Sequence, residues 1–135
     1  MEFDGVDDYT ETNSSVSIGL ARSVCFWAKV PTGGMNVNPS HNVISLASDF
    51  NITFGDWDNS NTSGIALHTS SNWISDISVV DDGQWHFYCV IGQDGTQNTI
   101  SFYQDGILLT SQIFNANYTY SSSNSNIGFG KIVSG

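Results

Sequence analysis

Residues 98–114 read NTISFYQ, then Asp105-Gly106, then ILLTSQIF, and this stretch decides the fold. In Asn98–Gln104 and in Ile107–Phe114 apolar and polar side chains alternate with a period of two, the signature of a strand with distinct faces. The two residues between them are the pair that best supplies the consecutive positive φ angles of a tight hairpin turn. The segment therefore predicts an antiparallel hairpin, and a chain containing one strong hairpin and no strong helix is expected to build its whole core from sheets.

Working outward, the same alternation recurs. Val24, Phe26, Ala28 and Val30 share one face of Ser23–Val30, with Cys25, Trp27 and Lys29 on the other. In Gln84–Gly92, Trp85, Phe87, Cys89 and Ile91 share one parity. Both strands carry large apolar side chains on both faces, so both faces are expected to be covered. Further strands are expected over Asn42–Ala47, Phe50–Gly55, Gly64–Thr69, Trp73–Val79 and Asn124–Gly130, punctuated by Asp-Gly steps at Asp4-Gly5, Asp82-Gly83 and Asp94-Gly95. No window places apolar residues at helical spacing behind a good cap. With 135 residues, 39% of them hydrophobic, there is material for one core and not for two. The expectation is a single all-β domain over residues 1–135, an antiparallel two-sheet sandwich of roughly ten short strands.

Charge limits the partners. Arg22, Lys29 and Lys131 are the only strongly basic residues against 13 acidic ones, a formal net charge of −10. Three scattered cations cannot neutralise a phosphate backbone, which excludes nucleic acid as the expected ligand and disfavours anionic membranes. No run of about eighteen apolar residues predicts insertion into a bilayer. Glycans, proteins and cations remain.

Five ordered landmarks carry a family resemblance. Phe3-Asp4-Gly5-Val6-Asp7-Asp8-Tyr9 resembles the opening motif of laminin-G-like modules, and Ser23–Val30 resembles the aromatic strand that follows it. Asp82-Gly83-Gln84-Trp85-His86-Phe87-Tyr88, Ile100–Gly106 and Asn126–Gly130 are similar to three later markers in the same order. The resemblance spans almost the whole chain and implies a concanavalin A-like jelly-roll sandwich, with Trp27 and Trp85 in its core and His86 in a structural role. It is specific for fold and only loosely informative for function. Modules of this type usually continue into one more strand beside the N-terminal one, and nothing in Lys131–Gly135 matches it. Three readings stay open: a trimmed chain, a strand donated between subunits to an open N-terminal edge, or a rearranged edge.

Pentraxins, another branch of the same class, join the two strands that match Ser23–Val30 and Trp85–Gly92 by a disulfide, and Cys25 and Cys89 occupy those strands. The resemblance thus implies a disulfide and an oxidising, extracellular compartment; two separate buried thiols are the alternative. Asn13, Asn51, Asn61 and Asn117 each open an N-glycosylation acceptor pattern, relevant only in a cell that glycosylates what it secretes.

Catalysis is not expected. The paired carboxylates of a sandwich glycosidase are missing, since Glu2 and Glu11 are the only glutamates and no internal strand carries two acids on one face. His41, His68 and His86 lie in no nucleophile motif. Asp4, Asp7 and Asp8 offer three carboxylates within one turn, a plausible calcium site or simply a turn bonded to its own amides. Asp56 and Asp58 lie in a loop better read as a hairpin tip. For a glycan, exposed aromatic rings are the expected contacts, and Trp57, Trp73, Tyr118 and Tyr120 flank polar loops. The functional expectation is a non-catalytic recognition module at a cell or virion surface or in a secreted protein, binding a glycan or protein. The alternative is a structural protomer of a fibre or shell, self-assembled through a sheet edge.

Overall fold

The computed structural model describes residues 9–14, 16–17, 22–32, 41–46, 51–55, 64–68, 73–93, 98–114, 124–125 and 127–130. The described elements are all strands: β1 (Thr10–Glu11), β2 (Val16–Ser17), β3 (Arg22–Lys29), β4 (His41–Leu46), β5 (Asn51–Phe54), β6 (Gly64–His68), β7 (Trp73–Ser78), β8 (Trp85–Gln93), β9 (Asn98–Gln104), β10 (Ile107–Phe114), β11 (Asn124–Ser125) and β12 (Ile127–Phe129). They form a six-stranded sheet in the order β1-β12-β4-β5-β6-β7, a four-stranded sheet β10-β9-β8-β3, and a two-stranded ribbon β11-β2. Every pairing is antiparallel.

The β9–β10 hairpin forms as the sequence dictates. Asp105 and Gly106 both adopt positive φ, 52° and 80°, and Ile107 pairs with Gln104 across the turn. The extra residue between Leu108 and Thr110 makes a bulge in β10.

The two large sheets pack face to face. One apolar cluster joins Ile44, Ile52, Phe54, Ile65, Leu67 and Ile77 of the six-stranded sheet to Tyr88, Val90, Ile100 and Phe102 of the four-stranded one. At its centre Phe54 meets Tyr88 edge-on at 5.2 Å between ring centroids, and Phe26 stacks on Tyr88 at 5.6 Å. Burial pushes the Tyr88 hydroxyl up to about 12, so it stays a neutral phenol. The two sheets are also tied by a side chain acting as backbone. Buried Gln104 accepts from the Val80 N–H and donates to the Val80 carbonyl, both at 2.9 Å, fastening the exit of β7 to the end of β9. Close approach explains Gly64, where a methyl group would sit 2.9 Å from the Ile77 carbonyl oxygen.

Candidate functional site

The outward face of the four-stranded sheet departs from expectation. Strand pairing places Trp27 opposite Phe87, Lys29 opposite Trp85, and Cys25 opposite Cys89; Cys89 in turn lies beside Tyr103, and Tyr103 beside Leu108. Trp27 and Trp85 are 63% and 60% exposed, and Leu108 and Ile113 are also open to solvent. Trp27 and Trp85 are therefore not core residues, and the outer faces of β3 and β8 are not covered by any described residue. The reason is architectural: the second sheet packs against the opposite parity, Val24, Phe26, Ala28, Tyr88 and Val90, and nothing among the described residues packs on this side.

The result is an aromatic corner on a rigid sheet. Trp27 and Phe87 hold their ring centroids 5.4 Å apart at 45°, and Trp85 is the diagonal neighbour of Trp27 across the ladder. None of the outward strand positions of this sheet, Ser23 to Lys29, Trp85 to Gln93, Thr99 to Tyr103 or Leu108 to Ile113, carries a carboxylate. In a chain with 13 acids, these described strand positions hold one charge, that of Lys29.

Cys25 and Cys89 form a disulfide across this ladder, joining positions 64 residues apart in sequence, which removes the alternative of two thiols. The bridge lies on the outer face and not in the core, because both cysteines share the parity of Trp27 and Phe87.

His86 anchors the base of the corner. Its Nδ1 lies 2.7 Å from Asp105 Oδ2 and its Nε2 3.0 Å from Asp82 Oδ1. Asp105 also accepts the Phe87 N–H, and its own N–H donates to the Phe87 carbonyl; Asp82 accepts the Gln84 N–H. The turn at Asp82–Gln84, the start of β8 and the β9–β10 turn are thereby locked together. The carboxylates of Asp105 and then Asp82 raise the His86 pKa above its ordinary 6.5. Asp82 is held below 3.8 by His86 first, and Asp105 by the Phe87 N–H first and His86 second. With both ring nitrogens engaged by carboxylates, His86 has none free to take a proton from a nucleophile. Its bonds tie the three segments together, which fits the structural role that the resemblance implied.

Other expected site residues fare differently. Asp4, Asp7, Asp8, Trp57, Tyr118, Tyr120, Asn61 and Asn117 lie outside the described residues. Trp73 opens β7 at the edge of the six-stranded sheet, with its side chain outside the described set. Asn13 is exposed in a bend after β1. Asn51 is a correction: it is 3% exposed inside β5, and its Oδ1 accepts from the buried Ser45 hydroxyl, so the folded domain leaves no room for a glycan there. Among the described residues no group of three or more His, Cys, Asp or Glu is placed to hold a metal ion, and no helix is long and apolar enough to cross a membrane.

The residues that sequence reasoning missed are Trp27 and Trp85. The signal was Ser23 and Lys29, two polar residues of the same parity as Trp27, which mark that face as wet.

No family model and no curated protein matches the chain. Among solved structures it is similar to a botulinum neurotoxin type G receptor binding domain, at a TM-score of 0.51 and 17% identity, over 82% of this chain. The chain spans 29% of the length of that neighbour. At this identity the likeness is one of fold, and it places the two-sheet architecture among β-rich domains already seen in a receptor-binding protein.

Proposed function

We propose that the domain is a non-catalytic recognition module and that the outer face of its four-stranded sheet takes a neutral glycan. The observation that carries this reading is the pair of exposed tryptophans, Trp27 and Trp85, beside half-buried Phe87 on a face whose described strand positions carry no carboxylate. Aromatic rings held at fixed positions match the apolar C–H faces of sugar rings, and their affinity needs no charge on the ligand. Along the same face Tyr103 stands beside Cys89, and Ser101, Ser23, Gln93 and Thr99 follow farther from the rings, supplying hydroxyl and amide groups to a ligand that extends along the strands. The likeness to a receptor binding domain and the disulfide are in keeping with recognition in an oxidising, extracellular setting. Trp57, Trp73, Tyr118 and Tyr120 remain proposed as further contacts, and Asp4, Asp7 and Asp8 as calcium ligands.

Affinity electrophoresis through gels containing neutral polysaccharides, alongside a glycan array, tests the proposal. Wild-type protein is expected to be retarded by at least one glycan, with retardation lost in Trp27→Ala and Trp85→Ala at unchanged far-ultraviolet dichroism. A wild-type protein silent to every glycan, or tryptophan variants that bind equally well, overturns it.

A further inference from the structure

We infer that the free edge of β3 is a docking site for an acidic polypeptide segment, taken up in extended form as a fifth strand of the four-stranded sheet. This surface is the rim of the sheet, distinct from the aromatic face, and three observations carry it.

The first is the direction of the backbone groups. In an antiparallel ladder, opposed residues alternate between close pairs that share no hydrogen bond and wider pairs that share two. The Cα atoms of Cys25 and Cys89 are 4.2 Å apart, the close kind. Independently, the Phe87 N–H and carbonyl both bond to Asp105 on the β9 side, so they point away from Trp27. The N–H and C=O groups of Ser23, Cys25, Trp27 and Lys29 therefore point away from β8, to the open side of β3. No strand among the described residues lies there.

The second is the state of the core. On β8 and β9 the inward side chains Tyr88, Val90, Ile100 and Phe102 are sealed, whereas Val24, Phe26, Ala28 and Val30 on or just after β3 are only partly buried. The apolar layer runs on to the rim, where no described strand covers it. A further strand with apolar residues at alternate positions would complete it.

The third is charge and regularity. Proteins blunt exposed edges with bulges, prolines, inward charges or brevity. The β10 edge carries a bulge, and β1 at the edge of the other sheet has two residues. The β3–β8 ladder runs unbroken from Arg22–Gly92 to Lys29–Trp85, and the eight residues of β3 include no proline. Arg22 and Lys29, two of the three strong cations in the chain, stand at its two ends, and β3 contains no acid. In a protein of net charge −10 this is the one described strand that favours an acidic partner. It also disfavours a second copy of the chain, whose own β3 would bring cations to cations.

The test is backbone amide exchange by NMR on the ¹⁵N-labelled protein, with two synthetic peptides, one alternating valine with aspartate and one alternating valine with lysine. The aspartate peptide is expected to protect the amides of Ser23, Cys25, Trp27 and Lys29 selectively, and to bind about tenfold more tightly than the lysine peptide. Lys29→Glu, which sets one anion against the remaining Arg22 and so cancels the charge of the strand, should abolish that preference. Trp27→Pro should abolish protection while leaving the β3–β8 ladder, because the lost N–H faces outward. Slow exchange of the four amides in the peptide-free protein at low concentration would show the edge filled by the chain's own residues, and protection that grows with protein concentration alone would show a second copy; either result overturns the inference. Protection by neither peptide, or protection confined to β10, also overturns it.

Discussion

The two faces of the four-stranded sheet are built from the same strands and are almost equally apolar, yet one is the core and the other meets water. Inward, Phe26, Tyr88, Val90, Ile100 and Phe102 interlock with the six-stranded sheet. Outward, Trp27 packs on Phe87, Tyr103 lies beside Leu108, and no second layer among the described residues faces them. Apolar composition therefore does not define a core; a facing layer does. Among the described residues no such layer faces Trp27 and Trp85, and exposed apolar clusters on folded proteins often mark interaction surfaces.

Substitutions that strike one face at a time would break or sharpen this contrast. The largest effect is expected from Phe102→Ala, which empties a site 1% exposed at the centre of the core and should cost about 3–5 kcal/mol of unfolding free energy. Trp27→Ala, an even larger truncation, should change stability by less than about 1 kcal/mol because its ring gains little burial on folding. Urea midpoints of the two variants decide it: equal losses would mean that the outer face is as much a core as the inner one.

The exception on the outer face is covalent. Replacing Cys25 and Cys89 together by serine releases a link across 64 positions and is expected to cost about 4 kcal/mol through the entropy regained by the unfolded chain. The near-ultraviolet signal of Trp27 and Trp85 should move with it, since the bridge fixes β3 against β8. A reduced protein as stable as the oxidised one would show that the ladder needs no clamp.

The smallest effect is the dependence on pH at the base of the aromatic corner. His86 has a raised pKa in the folded state, so its contribution is complete below the unfolded value of 6.5 and is lost as pH rises through the folded value. Asp82 and Asp105 have lowered values, so theirs is present above 3.8 and lost as pH falls through the folded values. The clamp is strongest in mildly acidic solution, between those limits. Thermal midpoints should decline modestly from pH 6 toward pH 8, and His86→Gln should flatten that decline. An unchanged slope in the variant would remove His86 from the account.

How much of this was legible follows from how local each feature is. The β9–β10 hairpin needs only its turn and its alternation, and it forms at the residues expected. Strand parity was equally readable, and so Phe26 and Val90 face inward with their neighbours. The pairing of Cys25 with Cys89 came from resemblance, since nothing in the two separated strands states that they are adjacent. The Gln104–Val80 fastening spans 24 positions and is made by a side chain that sequence would assign to solvent. Nor was it legible that Asp82, four residues before His86, and Asp105, nineteen after it, would meet on opposite sides of one ring. Asn51 reads as a surface acceptor pattern until β4 is found beside it.

By itself the sequence determined that this chain makes antiparallel strands, where its tightest turn lies and which side chains share a face. Those are properties of neighbours along the backbone, where turn residues and a period of two leave one choice. Only the tertiary structure decided which of two apolar faces is covered, that no described strand borders the edge of β3 to which its amides point, and that a histidine is held between two aspartates. These depend on what lies across a sheet or between layers, and water is excluded by whichever layer arrives there, not by the strand that waits for it.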